Sequence, residues 1–410
     1  MSTLRFETDG VVDDQFLAVA NTFQENFTKG WEREGAAFAV YHKGELVVDL
    51  WGGYADTKSA RPWRRDTMTT VFSCSKALCA LSLAHLVDNG HLDYDKLVID
   101  YWPEFGKHGK QNVTVKMLAS HQAGLAAVDR EITFEHMNDW HKMSVVFEEQ
   151  EPNWTLNDKN FGYHAVTYGF LVDQLVRRCD PAERSVGQYV QDELMGPTGD
   201  DDFYIGLPPQ LSYRVARLRK AGLHDLACHF ARSKNTMMSK LVLRAATKRV
   251  PNLTKRAFVQ PEFLMKHTLA GLQPFNSPEV HMMEIGAANG IGTARGLAQP
   301  FNALVTDRLL THRPDSCRKR LEKPVFVDQK DIIIDIPVSA GHGFAYAQSP
   351  NTEKSPSHWV LGHPGSGGQN VKADFENQLA FAYISNSLKS GIGDHVRTFE
   401  KLQAAVYSCL

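Results

Sequence analysis

A serine and a lysine stand three residues apart in Val71-Phe-Ser73-Cys-Ser75-Lys76. They open a helical pattern over 72–90, carried by Ala77, Leu78, Ala80, Leu81, Leu83, Ala84, Leu86 and Val87 and closed by Asn89-Gly90. Residues i and i+3 share a helix face, so the amine of Lys76 can reach the hydroxyl of Ser73. The first turn of a helix also favours negative charge near Ser73. Such a pair makes a nucleophile if burial lowers the lysine pKa until the amine accepts a proton. The chemistry is then acyl transfer through a covalent serine ester. Taken alone, the spacing also describes a helix cap followed by a surface lysine. Ser75 points elsewhere, and Cys74 projects away as a structural residue.

The elements that must hold this pair come from both ends of the chain. Residues 13–30 carry apolar positions at three- and four-residue spacing after an acidic start, which predicts an amphipathic helix. Ala36–Tyr41 and Leu46–Trp51, separated by His42-Lys-Gly44-Glu, predict a hairpin. The last third turns β-like at 343–347, 358–361, 369–372 and 379–384, with a helix near 391–408. The centre, 91–300, mixes helical stretches with Pro-bearing loops. One sheet drawn from both termini around an inserted lobe is the simplest arrangement.

The text around Ser73 resembles the class C β-lactamase, D-Ala-D-Ala carboxypeptidase and family VIII esterase group. Asp66-Thr-Met-Thr-Thr-Val-Phe-Ser73-Cys-Ser-Lys76 is similar to that group's approach to its nucleophile, Ser-x-x-Lys. Val87-Asp-Asn-Gly90-His-Leu-Asp93 resembles its helix exit, Val113–Leu125 with Ser120-His121-Gln-Ala-Gly124 its Ser-His-x-x-Gly loop, and Asn289–Ala298 its late helix. The second motif of the group, Tyr-x-Asn, is matched by Tyr163-His164-Ala165, with alanine in place of asparagine. By resemblance Tyr163 passes a proton between Ser73 and the leaving group, a role that calls for a phenol of lowered pKa beside Lys76. Tyr168 is expected to pack, and the Pro-Gly that usually precedes the tyrosine is replaced around Leu156-Asn157-Asp158.

The third motif, Lys-Thr-Gly in β-lactamases, falls at His363-Pro364-Gly365 within Gly362–Gly368. Gly365 and Gly367 let backbone approach a substrate. The resemblance implies that the Ser366 N–H joins that of Ser73 as an oxyanion hole. Histidine for lysine removes a fixed charge, and Pro364 has no hydroxyl, so capture of a substrate carboxylate should weaken. His363 would tune the field or protonate a leaving group.

The resemblance covers residues 10–405 and implies an α+β fold like that of the β-lactamases and penicillin-binding proteins. Its antiparallel sheet is flanked by helices in an α/β/α sandwich, with an inserted, mainly helical lobe. We expect a single catalytic domain over 1–410, with 1–90 and 300–410 as the α/β region and 91–300 as the lobe. The expected function is a serine hydrolase with an acyl-enzyme on Ser73. Small esters are its favoured substrates, and β-lactamase activity should be weak or absent. The alternatives are a serine peptidase or amidase on the same fold, and a catalytically weak or inactive scaffold or filament protein. The scaffold requires Lys76 or Tyr163 to point away from Ser73, or a filled cleft.

Other function classes fare poorly. The 410 residues carry 45 basic and 47 acidic side chains, a net charge of −2, which gives no pull toward nucleic acid or anionic membrane. There is no Gly-x-Ser-x-Gly elbow, no His-Glu-x-x-His, and Gly290-Ile-Gly292 lacks the third glycine of a dinucleotide site, so neither metal nor cofactor is implied. No run reaches the ~18 apolar residues of a membrane span, and the first ten residues lack a signal-peptide pattern. Cysteines at 74, 79, 179, 228, 317 and 409 show no CxxC spacing and read as reduced thiols. The Asn-x-Thr sequons at Asn26, Asn112, Asn153 and Asn252 read as chance. A cytoplasmic location is expected; the terminal Ser-Cys-Leu is a poor peroxisomal match. A locally basic stretch from Arg232 to Arg256 reads as a solvated helical face or flexible lobe, with a site for an anionic ligand or membrane surface as the sharper option. A homo-oligomer stays open.

Overall fold

The computed structural model describes residues 6–157, 159–199, 202–220, 251–259, 261, 264, 273–313, 317–350, 358–389 and 393–410. Most of the basic stretch, including Arg232, Lys234, Lys240, Arg244, Lys248 and Arg249, lies outside the described residues, as does Cys228.

In chain order the strands are β1 (Thr8–Val12), β2 (Gly35–His42), β3 (Glu45–Asp56), β4 (Arg61–Pro62), β5 (Thr69–Thr70), β6 (Phe203–Tyr204), β7 (Ile291–Gly292), β8 (Phe326–Lys330), β9 (Pro337–Gly341), β10 (Phe344–Gln348), β11 (Trp359–Pro364), β12 (Asn370–Asp374) and β13 (Leu379–Ser385). The main sheet runs β1-β3-β2-β13-β12-β11-β10-β9-β8, with β4 on β3, and every pairing is antiparallel. The join is β2 against β13, from Leu379↔His42 to Ser385↔Ala36, which brings the two ends of the chain together. The 36–51 hairpin turns through Lys43 and Gly44 at φ 51° and 94°, the paired left-handed geometry that matches strand twist. A small second sheet, β5-β7-β6, stands just before the nucleophile segment.

Side chains alternate across the sheet and divide the core into two layers. Ala36, Phe38 and Val40 of β2, with Leu379, Phe381 and Tyr383 of β13, pack under helices α1 (Leu17–Thr28) and α6 (Arg397–Ser408), joined by Phe23, Phe27, Phe399 and Val406. Ala37, Ala39, Ala380 and Ala382 face the other way. Their small side chains let α5 (Ala294–Val305) lie across β2 and β13. Behind α5 the core continues through α2 (Ser75–Asp88) and α3 (Thr167–Cys179), which pack on each other. Helix α2 is apolar nearly all round because it is surrounded by protein. This makes an α/β/α sandwich. Beyond α3, α4 (Asn252–Val259) packs through Leu253 and Ala257 in a small cluster with Tyr163 and Ile333.

Candidate active site

The nucleophile segment is held by a locked turn. Phe72 has φ 49°, a left-handed value that a bulky side chain rarely adopts, so its surroundings must enforce it. Ser75 does so: its Oγ donates to the Phe72 carbonyl at 2.5 Å and accepts the Gly290 N–H at 2.8 Å. Val71 N donates to Gly290 O at 2.8 Å, and the Phe72 ring meets Phe275 edge-on at 5.3 Å. The turn carries Ser73, half-buried, to the front of α2.

Lys76 is completely buried on the first turn of α2. Its Nζ lies 2.7 Å from the carbonyls of both Ala165 and Ala287 and 3.3 Å from Ser73 Oγ. Burial pulls its pKa down to about 7, against weak opposition from Cys79 and Cys74. Ala165, standing where the related motif has asparagine, thus contributes its backbone oxygen. Tyr163 donates to Ser73 Oγ at 2.8 Å, and its ring lies 4.8 Å from Lys76 Nζ. His121, His363 and Phe258 surround that ring at 5.3, 6.0 and 6.2 Å.

Two expectations are corrected here. The Tyr163 phenol has a raised pKa, because burial outweighs its bond to Ser73, so it is a neutral donor in the resting site. His363 is held to about 3, chiefly by burial and then by Lys76. Its Nδ1 lies 2.7 Å from the Pro364 carbonyl, which can only accept, so the proton sits on Nδ1 and is committed to backbone. In the resting site His363 is therefore a neutral ring whose N–H is bonded to backbone.

Gly365 could not be another residue: a Cβ there would stand 2.4 Å from the Val71 carbonyl and 3.1 Å from Cys74 Sγ. Cys74 Sγ donates to His363 O at 3.2 Å, and burial raises its thiol pKa, so it seams α2 to β11. Past Gly365 the chain turns, Gly368 N reaching Gly365 O at 3.4 Å, with Gly367 and Gly368 at φ 79° and 104° and Ser366 exposed at the tip. The next cation, Lys372 on β12, is paired with Asp394 at 2.8 Å.

The sequence pattern did not single out Asp331, His121 or Ala287 as site residues. Asp331 Oδ2 accepts the backbone N–H of Tyr163 at 2.9 Å. His121 packs on the rings of Tyr163 and Tyr168 and accepts the His164 N–H on Nδ1 at 3.3 Å. Its place in the quoted Ser-His-x-x-Gly loop was the available signal. Tyr168 is a buried packing residue. Among the described residues, no group of three or more His, Cys, Asp or Glu side chains is placed to hold a metal ion, and no helix is long and apolar enough to cross a membrane.

A sequence profile described as Beta-lactamase matches residues 23–405 of this chain. The chain belongs to the β-lactamase family. As a member of that family it is a serine hydrolase. This β-lactamase-family chain is 30% identical over 388 residues to the esterase/β-lactamase LipL of Mycobacterium tuberculosis, covering 93% of the chain and 83% of LipL. A solved family VIII carboxylesterase superposes with TM-score 0.82 at 29% identity, over 98% of this chain and all (100%) of that one. A penicillin-binding-protein homologue from Caulobacter crescentus does so with TM-score 0.80 at 32% identity, over 98% and 100%.

Proposed function

We propose that the protein is a carboxylesterase-type hydrolase that forms its acyl-enzyme on Ser73, with small esters lacking a free carboxylate as substrates. The observation that carries the reading is the environment of Lys76. A neutral amine has two N–H donors and one lone pair. The carbonyls of Ala165 and Ala287, each 2.7 Å away, can only accept, so they take both donors. The lone pair is left for Ser73, whose proton passes to Lys76 as Oγ attacks the substrate carbonyl. The pKa of about 7 keeps a large neutral fraction near neutral pH.

Tyr163 gives its proton to the departing alkoxide and draws a replacement from the new ammonium on Lys76. The amides of Ser73 and Ser366 bind the oxyanion. Water then attacks the acyl-enzyme, releasing the acid and returning the proton to Ser73. The preference for uncharged esters is supported by a neutral His363 and by a Lys372 already paired with Asp394, so that neither of these two offers a free charge to hold a carboxylate. LipL and the family VIII carboxylesterase carry esterase names, in keeping with this choice. Of the two signs of an inactive scaffold, a turned-away Lys76 or Tyr163 and a filled cleft, the first is not met, since both side chains reach Ser73 Oγ.

The test is mass spectrometry after incubation with a fluorophosphonate, together with p-nitrophenyl ester hydrolysis. We expect one adduct on the Ser73 peptide and loss of hydrolysis in Ser73→Ala. No adduct there, or an unchanged rate in the variant, refutes the reading.

A further inference from the structure

Asp331 is a buried carboxylate that the reaction above does not use. It begins the link between β8 and β9, Asp331-Ile-Ile-Ile-Asp335, and only 1% of its surface is exposed. Oδ1 accepts the amides of Ile333 at 2.6 Å and Ile334 at 2.9 Å, the pattern of an Asx turn that shapes its own loop. An Asx turn needs one oxygen and forms readily at the surface. Oδ2 does something else: it crosses to the Tyr163 N–H, 168 residues away in sequence. The same loop is tied beside that bond by Ile332 N to Phe161 O at 2.9 Å. On its far side Thr254 Oγ1 of α4 donates to Ile333 O at 2.8 Å.

We propose that Asp331 is a positioning residue for Tyr163, its carboxylate clamping the Tyr163 backbone to the β8–β9 loop so that the phenol stays aimed at Ser73 Oγ. This rests on the serine-hydrolase reading of the site. Removing a carboxylate from water is unfavourable, and it is held here by three charge-assisted bonds, one of them directed at the tyrosine. Tyr163 is the residue whose small displacement would matter most, because its hydroxyl must reach both Ser73 and a leaving group.

The clamp depends on charge. Burial raises the Asp331 pKa to about 6, opposed by the amides of Ile334, Ile333 and Tyr163. Of the charged groups near it, Lys330 and Asp335 pair with each other at 2.6 Å, and Arg256 of α4 pairs with Asp129. Lys255 and Lys159 are exposed, while His121, His164 and His363 are all held neutral by burial. Lys76 is the other group that titrates near this range, at about 7. Acylation should therefore fall with one proton below about pH 7 and with a second below about pH 6. The sign for stability is opposite. A carboxyl whose folded pKa lies above its ordinary value gains stability as pH falls through that window, whereas the buried histidines, held below their ordinary value, lose it, so the melting temperature is followed across the same pH range to separate unfolding from release of the clamp.

The experiment measures p-nitrophenyl ester kinetics and the rate of fluorophosphonate inactivation between about pH 5 and 9. Wild type, Asp331→Asn and Thr254→Val are compared. A wild type that never labels Ser73 refutes the hydrolase reading and with it the clamp. If wild type labels, we expect D331N to lose kcat by roughly tenfold to a hundredfold with KM within about threefold, since only positioning is disturbed. Its acid limb should fit a single proton. T254V, which removes a different bond to the same loop, should keep kcat and both protons. A D331N that retains kcat and a two-proton limb overturns the clamp. So does a wild-type limb of one proton, a result that requires no variant to fold.

Discussion

Replacing Lys76 by methionine separates what the amine does for chemistry from what it does to stability. The buried amine titrates at about 7 in the folded protein against an ordinary 10.5, a difference of 3.5 units. At 1.36 kcal/mol per unit this is about 5 kcal/mol of linkage. The sign follows from proton counts. Between pH 7 and 10.5 the unfolded chain holds the Lys76 proton and the folded chain does not, so stability rises with pH across that window. It is flat below the folded value, where both states are protonated. The wild-type minus Lys76→Met difference in unfolding free energy should thus grow by about 3 kcal/mol from pH 7 to 9.5. Loss of the amine also strands the Ala165 and Ala287 carbonyls, at about 1–3 kcal/mol each. That penalty is the same at every pH and leaves the slope untouched. Urea unfolding at several pH values reads the slope. In parallel, wild-type kcat/KM should rise about tenfold from pH 6 to 8 on account of Lys76 alone, as its neutral fraction goes from about a tenth to about nine-tenths. Parallel stability curves, or an activity profile flat through pH 7, would refute a neutral lysine as the base.

Tyr163→Phe keeps the ring between His121 and His363 but removes the donor to Ser73, so turnover should fall on the order of 10²–10⁴-fold while the melting temperature holds. Gly365→Val places a branched side chain where a Cβ already meets the Val71 carbonyl at 2.4 Å; fluorophosphonate labelling of Ser73 and the melting temperature should both drop. Glu32, 1% exposed, accepts two bonds from Lys389 Nζ, at 2.8 and 2.7 Å, and Lys389 also donates its Nζ to Ser385 Oγ at 2.6 Å and its backbone N–H to Gly367 O at 3.0 Å. Glu32→Gln removes the charge that balances this buried ammonium and should lower stability in urea unfolding by about 3–5 kcal/mol. Cys74 and Cys79 are buried with raised thiol pKa values, so a thiol reagent such as DTNB should label them only on unfolding.

The parts of the fold legible in sequence are those in which one physical signal dominates. β2, β3, β11 and β13 each contain a continuous run of apolar, aromatic and small residues, and α2 is a long apolar stretch closed by Asn89-Gly90. β1, β8 and β9 were not anticipated. β1 and β8 are the two edges of the sheet and β9 lies next to an edge; Asp9, Gly10, Asp328 and Pro337 belong to such positions and dilute the alternation. The extent of α5 was hard to read because Pro300 lies inside it.

The site divides along the same line. Reach was legible, since Ser-x-x-Lys spacing on a helix sets which side chains can meet. Protonation was not, because desolvation is a property of the assembled core. The same burial lowers Lys76, raises Tyr163 and keeps His363 neutral, and it reverses the phenol expected from the motif alone. Direction was hidden for a further reason: the groups that set it are backbone atoms. The carbonyls of Ala165 and Ala287 occupy the donors of Lys76, and the amide of Tyr163 is what Asp331 holds. Any residue at 165 or 287 could supply that oxygen, so alanine in place of the motif's asparagine is compatible with an intact base. What decides whether Lys76 can accept the Ser73 proton is the placement of two peptide planes from α3's approach and the 285–290 turn.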